Sequence, residues 1–350
     1  MRPVDRRGSV RTRLRDSTGR QYFAGAAFAV ALHAVGTATG QAWFDQSPPD
    51  FWTNGAGLAV SFVFGLEAGG QPRIGAKAPS ESWEAMASTL ASLGKPDYAT
   101  NSWYEYGIHE GVPRVLNLFD AFGVKASCLI STEAASASPA LAQEVVKRGH
   151  EAVCHGTTFN TLLEPDAERQ FLQDKIDITQ RITGQRCTGF NALWMQHTAS
   201  TNALLQELNF TYYVDDVSRD IPFTKLANGQ KLAVVPYTLR NHDIETTGRG
   251  FSAMDFYTQF VAEFDELYME SRTRHRLMTV TIHDSVGGTP AFINAYRRFI
   301  QYANKTGVWF ARKDELANWA MQHGPHYACN STDFICPASS CTYGCPVPDW

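Results

Sequence analysis

The sequence predicts an α/β fold with a largely parallel sheet, and two patterns carry that prediction. Short apolar, β-branched runs alternate with amphipathic helical stretches along most of the chain. Three of the runs stay apolar almost throughout and reach polar residues only at their ends, as strands buried on both faces do. A barrel suits this order of elements better than an open sheet.

The first strand is Gly57 to Gly65, ending in Leu66-Glu67-Ala68-Gly69-Gly70. A long connection then leads through Trp83 to the aromatic segment at Trp103. A helix over 110–122 precedes a strand from Val124 to Ile130, and a second helix over 139–148 precedes Glu151 to Cys154. Helix Asp166 to Thr183 feeds strand Cys187 to Asn191, and Thr201 to Leu208 feeds Tyr212 to Val214. Strand Leu232 to Val235, helix Ala253 to Met269, strand Leu277 to Ile282, helix Pro290 to Ala303 and strand Val308 to Ala311 repeat the theme. Helix Asp314 to Gln322 closes the domain.

Candidate catalytic residues sit where the buried strands end, the position at which α/β barrels and sheets place their chemistry. They are Glu67 after the first strand, His155 in the turn His155-Gly156, and the pair His283-Asp284 after Leu277 to Ile282. In this reading Glu67 or His155 takes a proton from water, and His283, oriented by Asp284, acts as general acid. Two imidazoles one helical turn apart can share a tetrahedral ion, but the residue four places after His155 is Phe159.

The spacing of these elements resembles the polysaccharide deacetylase (NodB homology) superfamily, and within it the cofactor-independent allantoinase-like branch. The resemblance covers roughly residues 45 to 325. It rests on Trp103-Tyr104-Glu105-Tyr106-Gly107, on Val115 to Asp120, on Pro236 to Leu239, on Asn241-His242-Asp243 and on Gly250-Phe251. It implies a distorted seven-stranded (β/α) barrel that hydrolyses amides. It also implies substrate-binding roles for Tyr104, Glu105 and Tyr106, and for His242 and Asp243 at the pocket mouth. Asn191 and Trp194 are candidates for the substrate's carbonyls or ring face, and Asp215 and Asp216, which follow a strand, for support on the His283 side.

Departures from the superfamily pattern are equally informative. Its metal is held by one Asp and two His of a His-x-x-x-His motif, with a second Asp as base. Here Glu67 is the only acid in Gly65 to Gly69, Phe159 replaces one imidazole, and the Arg of the third motif is not evident in Gly189 to Trp194. The expectation is therefore no metal and no other cofactor. Without zinc to polarise the carbonyl, activated amides are easier substrates than a plain acetamide. A cyclic ureide or imide is the first expectation. A secreted N-acetyl-glycan deacetylase, or a catalytically dead glycan-binding relative, is the alternative.

Residues 1–20 carry seven Arg and two Asp, and an apolar stretch from Tyr22 to Val35 follows. Such a stretch is short for a membrane span but suits a secretory signal. The expected organisation is a leader over 1–42, a barrel over 45–325 and a Cys-rich tail over 326–350, with secretion expected and a cytoplasmic location as the alternative. Cys128, Cys154 and Cys187 read as buried free thiols. The tail's Cys329, Cys336, Cys341 and Cys345 could form two disulfides in an oxidising compartment. With 350 residues, 44% of them hydrophobic, the chain can bury one large core. A net charge of −4 and no basic stripe beyond the leader argue against nucleic acid as a partner. No membrane span is expected, and a homo-oligomer follows only from the resemblance.

Overall fold

The computed structural model describes residues 14–15, 21–22, 52, 55–68, 93–95, 98–156, 164–305, 307–330 and 341–343. Two compact units are present, Met1–Trp43 and Phe44–Trp350. In the first, Leu14–Arg15 pairs antiparallel with Gln21–Tyr22; most of the signal-like stretch, like Phe159, Cys336 and Cys345, lies outside the described residues. Among the described residues no helix is long and apolar enough to cross a membrane.

The strands of the second unit are β1 (Leu58–Leu66), β2 (Ser127–Ile130), β3 (Glu151–His155), β4 (Gly189–Asn191), β5 (Tyr212–Tyr213), β6 (Phe223–Ala227), β7 (Gln230–Val234), β8 (Arg276–Ile282), β9 (Val308–Phe310), β10 (His326–Asn330) and β11 (Cys341–Tyr343). The helices are α1 (Tyr98–Tyr106), α2 (Val112–Phe122), α3 (Thr132–Ala137), α4 (Pro139–Lys147), α5 (Pro165–Thr183), α6 (Thr201–Glu207), α7 (Asp243–Gly248), α8 (Ala253–Glu270), α9 (Pro290–Ala303) and α10 (Lys313–His323). A π-helical turn, Gly107–Gly111, joins α1 to α2.

Seven parallel strands run in the order β8-β1-β2-β3-β4-β5-β7, with β9 also on β1. The path continues through antiparallel β6 to β10 and β11. The ladder is not continuous between β7 and β8; a single His242–Thr281 bridge and side-chain bonds span that gap. Thr279 Oγ1 donates to Pro236 O (2.9 Å), and Thr279 N donates to Thr238 Oγ1 (3.0 Å).

Period-2 alternation sorts each strand's residues onto two faces. Leu58, Val60, Phe62, Phe64 and Leu66 join Met278, Val280 and Ile282 in the core beneath α2, α8 and α9. Ala59 and Val63 instead meet Leu129, Val153, Tyr212, Val235 and Leu277 in an inner cluster. At the N-terminal end of that inner face Glu151 accepts from Ser127 Oγ (2.5 Å), Tyr212 Oη (2.7 Å) and Asp314 N (3.1 Å). Lys313 Nζ donates to Pro236 O and Thr279 Oγ1, both at 2.9 Å. Both are buried; burial raises the Glu151 carboxyl and lowers the Lys313 ammonium to about 7. Every polar atom in this plug faces a partner, which is what makes its burial tolerable.

Three differences from the sequence reading have physical causes. Cys154 and Cys187 are a disulfide, not free thiols: they project outward from β3 and from the approach to β4, beneath α5. Cys128 remains a buried thiol. The start of the Cys-rich tail, for which no strand was expected, is β10, anchored by buried Tyr327 against Phe223. Segment 98–106, taken as connection, is α1. The disulfide spans 33 residues of sequence, so replacing both cysteines by Ala is expected to cost about 3 to 4 kcal/mol through lost loop closure. A urea titration reads this directly, and an unchanged midpoint would contradict it.

Candidate active site

Glu67, His155 and His283 have the same parity as the inner-cluster residues Val63, Val153 and Leu277, so the fold carries all three to the C-terminal end of the inner face. Glu67 stands between the two imidazoles. Its Oε1 lies 3.7 Å from His155 Nε2 and 3.8 Å from His283 Nε2. Side-chain exposure of the three is between 10% and 19%, which leaves a reachable but largely dry cluster.

Environment drives the two imidazoles apart. Burial lowers the His155 pKa, with Glu67 opposing and Lys175 and His283 adding to the fall, so its ring is neutral at neutral pH. Burial also works against a charge on His283. There Glu67 and Asp243 outweigh it, with help from Asp284, and hold the pKa at about 10. A neutral and a protonated imidazole on either side of one carboxylate is an acid–base pair separated by surroundings alone.

The orienting partner of His283 is Asp243, not its neighbour Asp284. Asp243 Oδ1 meets His283 Nδ1 at 2.6 Å, and Asp243 Oδ2 accepts the His283 main-chain N–H at 2.8 Å. Asp284 lies past the end of β8, at the start of the turn over 284–288. Its carboxylate turns the other way and accepts the Glu67 N–H at 2.9 Å. Burial and then Glu67 raise its pKa. His242 lies beside β8, its ring 4.5 Å from that of His283, and burial holds it well below the ordinary histidine range.

Asn191 donates from Nδ2 to Asp215 Oδ1 at 2.7 Å, and Ala192 N donates to Asp215 Oδ2 at 3.0 Å. Burial raises the Asp215 pKa to about 7. Asp215 thus fixes the loop after β4, where Trp194 and Met195 both take positive φ and Trp194 is 39% exposed. Asp216 pairs with Lys225 Nζ (2.6 Å) on β6. The expected support of Asp215 and Asp216 for His283 is therefore replaced by these partners.

Around α1, Tyr104 is buried edge-on to Trp103, Glu105 faces solvent, and Tyr106 Oη accepts from Arg114 Nη1 at 2.9 Å. Sequence reasoning passed over Tyr237, a buried ring that feels the charges of both Asp215 and Glu67. The signal was present, since Tyr237 belongs to the Pro236 to Leu239 match.

A zinc ion belongs to the wider superfamily pattern, and the donors present decide whether one fits. Glu67 and His155 are two donors where a catalytic site supplies three. A second group, His242, Asp243 and His283, has donor atoms within 4.8 Å of one another. In it Asp243 Oδ1 and His283 Nδ1 are 2.6 Å apart, closer than the roughly 3.3 Å between two ligands on a tetrahedral zinc with bonds of about 2.0–2.1 Å. That spacing is a charged hydrogen bond. Neither set fits zinc.

Comparison with known proteins adds four findings. The polysaccharide deacetylase family profile matches residues 99–213. The crystal structure of Puue allantoinase superposes with a TM-score of 0.72 at 30% identity, covering 80% of this chain and 95% of that one. A Pseudomonas aeruginosa PAO1 chain described as a probable polysaccharide deacetylase gives 0.69 at 30% identity, covering 78% and 94%. A Schizosaccharomyces pombe protein with a polysaccharide deacetylase name is 25% identical over 303 residues, 78% of this chain and 93% of its own length.

Proposed function

Because the chain belongs to the polysaccharide deacetylase superfamily and is a hydrolase of non-peptide carbon–nitrogen bonds, we propose that it removes the acyl group from an N-acetylated glycan without a metal. The observation that carries this reading is the Glu67 carboxylate between a neutral His155 and a protonated His283. Glu67 takes a proton from water as the water oxygen bonds to the amide carbon. His155 orients that water, and His283 gives its proton to the nitrogen as the carbon–nitrogen bond breaks. A positioned base contributes about 10² to 10⁴ in rate, and one preorganised oxyanion donor about 10² to 10³ more. The sequence alone favoured a cyclic ureide. The family profile and the S. pombe relative shift that preference to glycans.

A second reading, hydrolysis of a cyclic ureide or imide, keeps two supports. These are the 30% identity to an allantoinase and the two donors, Glu67 and His155, that the described residues supply where zinc takes three, which favours an activated amide. The Cys154–Cys187 disulfide supports secretion, since such bonds persist in oxidising compartments.

Acetylated chito-oligomers, peptidoglycan fragments, allantoin and simple imides should be assayed after exhaustive chelation and again with zinc. The expected result is acetate release from a glycan that survives chelation. Turnover of allantoin alone would favour the second reading, and activity that appears only with one zinc per chain would overturn the metal-free mechanism.

A further inference from the structure

We propose that Asp284 is a positioning residue that acts through the main chain of Glu67, fixing where the Glu67 carboxylate stands between His155 and His283. This rests on the hydrolytic reading for its kinetic consequences and on geometry for everything else. β1 pairs with β8 only as far as Phe64 and with β2 only as far as Leu66. Glu67 is therefore the first residue of its segment whose N–H has left the ladder. The Asp284 carboxylate takes that N–H at 2.9 Å and the Ser285 N–H at 2.8 Å, with the residue only 1% exposed. A main-chain donor released at a strand end and buried needs such an acceptor.

The carboxylate is gripped from its other side. A Cβ on Gly107 would stand 2.5 Å from Asp284 Cγ, and Cβ atoms on Gly111 or Gly288 would overlap the Asp284 carbonyl oxygen. Gly107 and Gly111 are the two ends of the π-helical turn, and such turns mark functional positions in helices. Arg114 ties the same turn to the loop, donating from Nη1 to Gly288 O at 2.6 Å and to Tyr106 Oη. Segment Tyr104 to Gly107 is thus part of the seat that holds Asp284, and through it Glu67, in register.

The test compares Asp284→Ala with Asp284→Asn, whose one amide oxygen can accept the Glu67 N–H at the expense of the Ser285 N–H while the charge is lost. In protein labelled with ¹⁵N-glutamate, the Glu67 amide proton should resonate downfield in the wild type and in Asp284→Asn. It should move upfield and exchange faster in Asp284→Ala. On the substrate found above, kcat should fall by about 10² in Asp284→Ala, the cost of a misplacement of about 1 Å. KM should change little, and Asp284→Asn, with one acceptor left for the Glu67 N–H, should restore part of the loss. Gly107→Ala, which crowds the same carboxylate, should reproduce the Ala result. A Glu67 amide unmoved in both variants would overturn the proposal, as would an Asn variant as inactive as the Ala variant. If the wild type hydrolyses no amide tested, the reading of the reaction fails and the amide resonance still decides the positioning role.

Discussion

Glu67→Gln is expected to lower kcat/KM by about 10²- to 10⁴-fold, the contribution of a positioned base, while leaving the fold intact by circular dichroism. The substitution is isosteric, and the Glu67 N–H can still donate to Asp284, so the end of β1 stays where it is. What disappears is the one carboxylate facing both imidazoles, 3.7 Å from His155 and 3.8 Å from His283. A second, independent readout follows. Glu67 is the largest of the influences that raise the His283 pKa against burial, so its removal moves the alkaline limb of the pH–rate profile below about 10. A variant that keeps wild-type turnover, or whose residual activity keeps the original alkaline limb, would show that Glu67 is not the base.

The positions of the chemistry were legible in the sequence because strand periodicity is a strong signal. Gly57 to Gly65, Glu151 to Cys154 and Leu277 to Ile282 read as buried strands, and their polar exits are the residues that converge. The partnerships were not legible. His283 and Asp284 are adjacent in sequence and looked like a dyad, yet Asp284 opens the turn that follows β8 and its carboxylate takes the Glu67 N–H. The partner of His283 comes from Asp243, 40 residues earlier, brought in by one bridge between His242 and Thr281. The Cys154–Cys187 bond was hidden for a related reason. Apolar surroundings suit a buried thiol as well as a disulfide, and only the pairing of β3 with β4 shows that the two sulfurs share a face.

Asp243→Asn should be damaging in a way that depends on pH, and the sign follows from the pair it breaks. Asp243 is fully buried and offers His283 two acceptors, one for Nδ1 and one for the main-chain N–H. An asparagine can supply only one oxygen, so its amide N–H₂ must confront a donor, and the imidazolium loses the nearer of its two counter-charges. Breaking a buried ion pair from one side costs about 3 to 5 kcal/mol. His283 has its pKa raised from 6.5 to about 10 in the folded chain, so the stability it contributes is fully present below about 6.5 and is lost as pH rises through about 10. Urea denaturation should therefore show a large gap between wild type and Asp243→Asn at pH 6 that narrows as pH approaches 10. Because the neutral imidazole cannot protonate the leaving nitrogen, the alkaline limb of kcat should move down in the same variant. A gap of constant size across that range, with the alkaline limb in place, would mean that His283 is not held as a cation by Asp243 and that the proton for the leaving group comes from elsewhere.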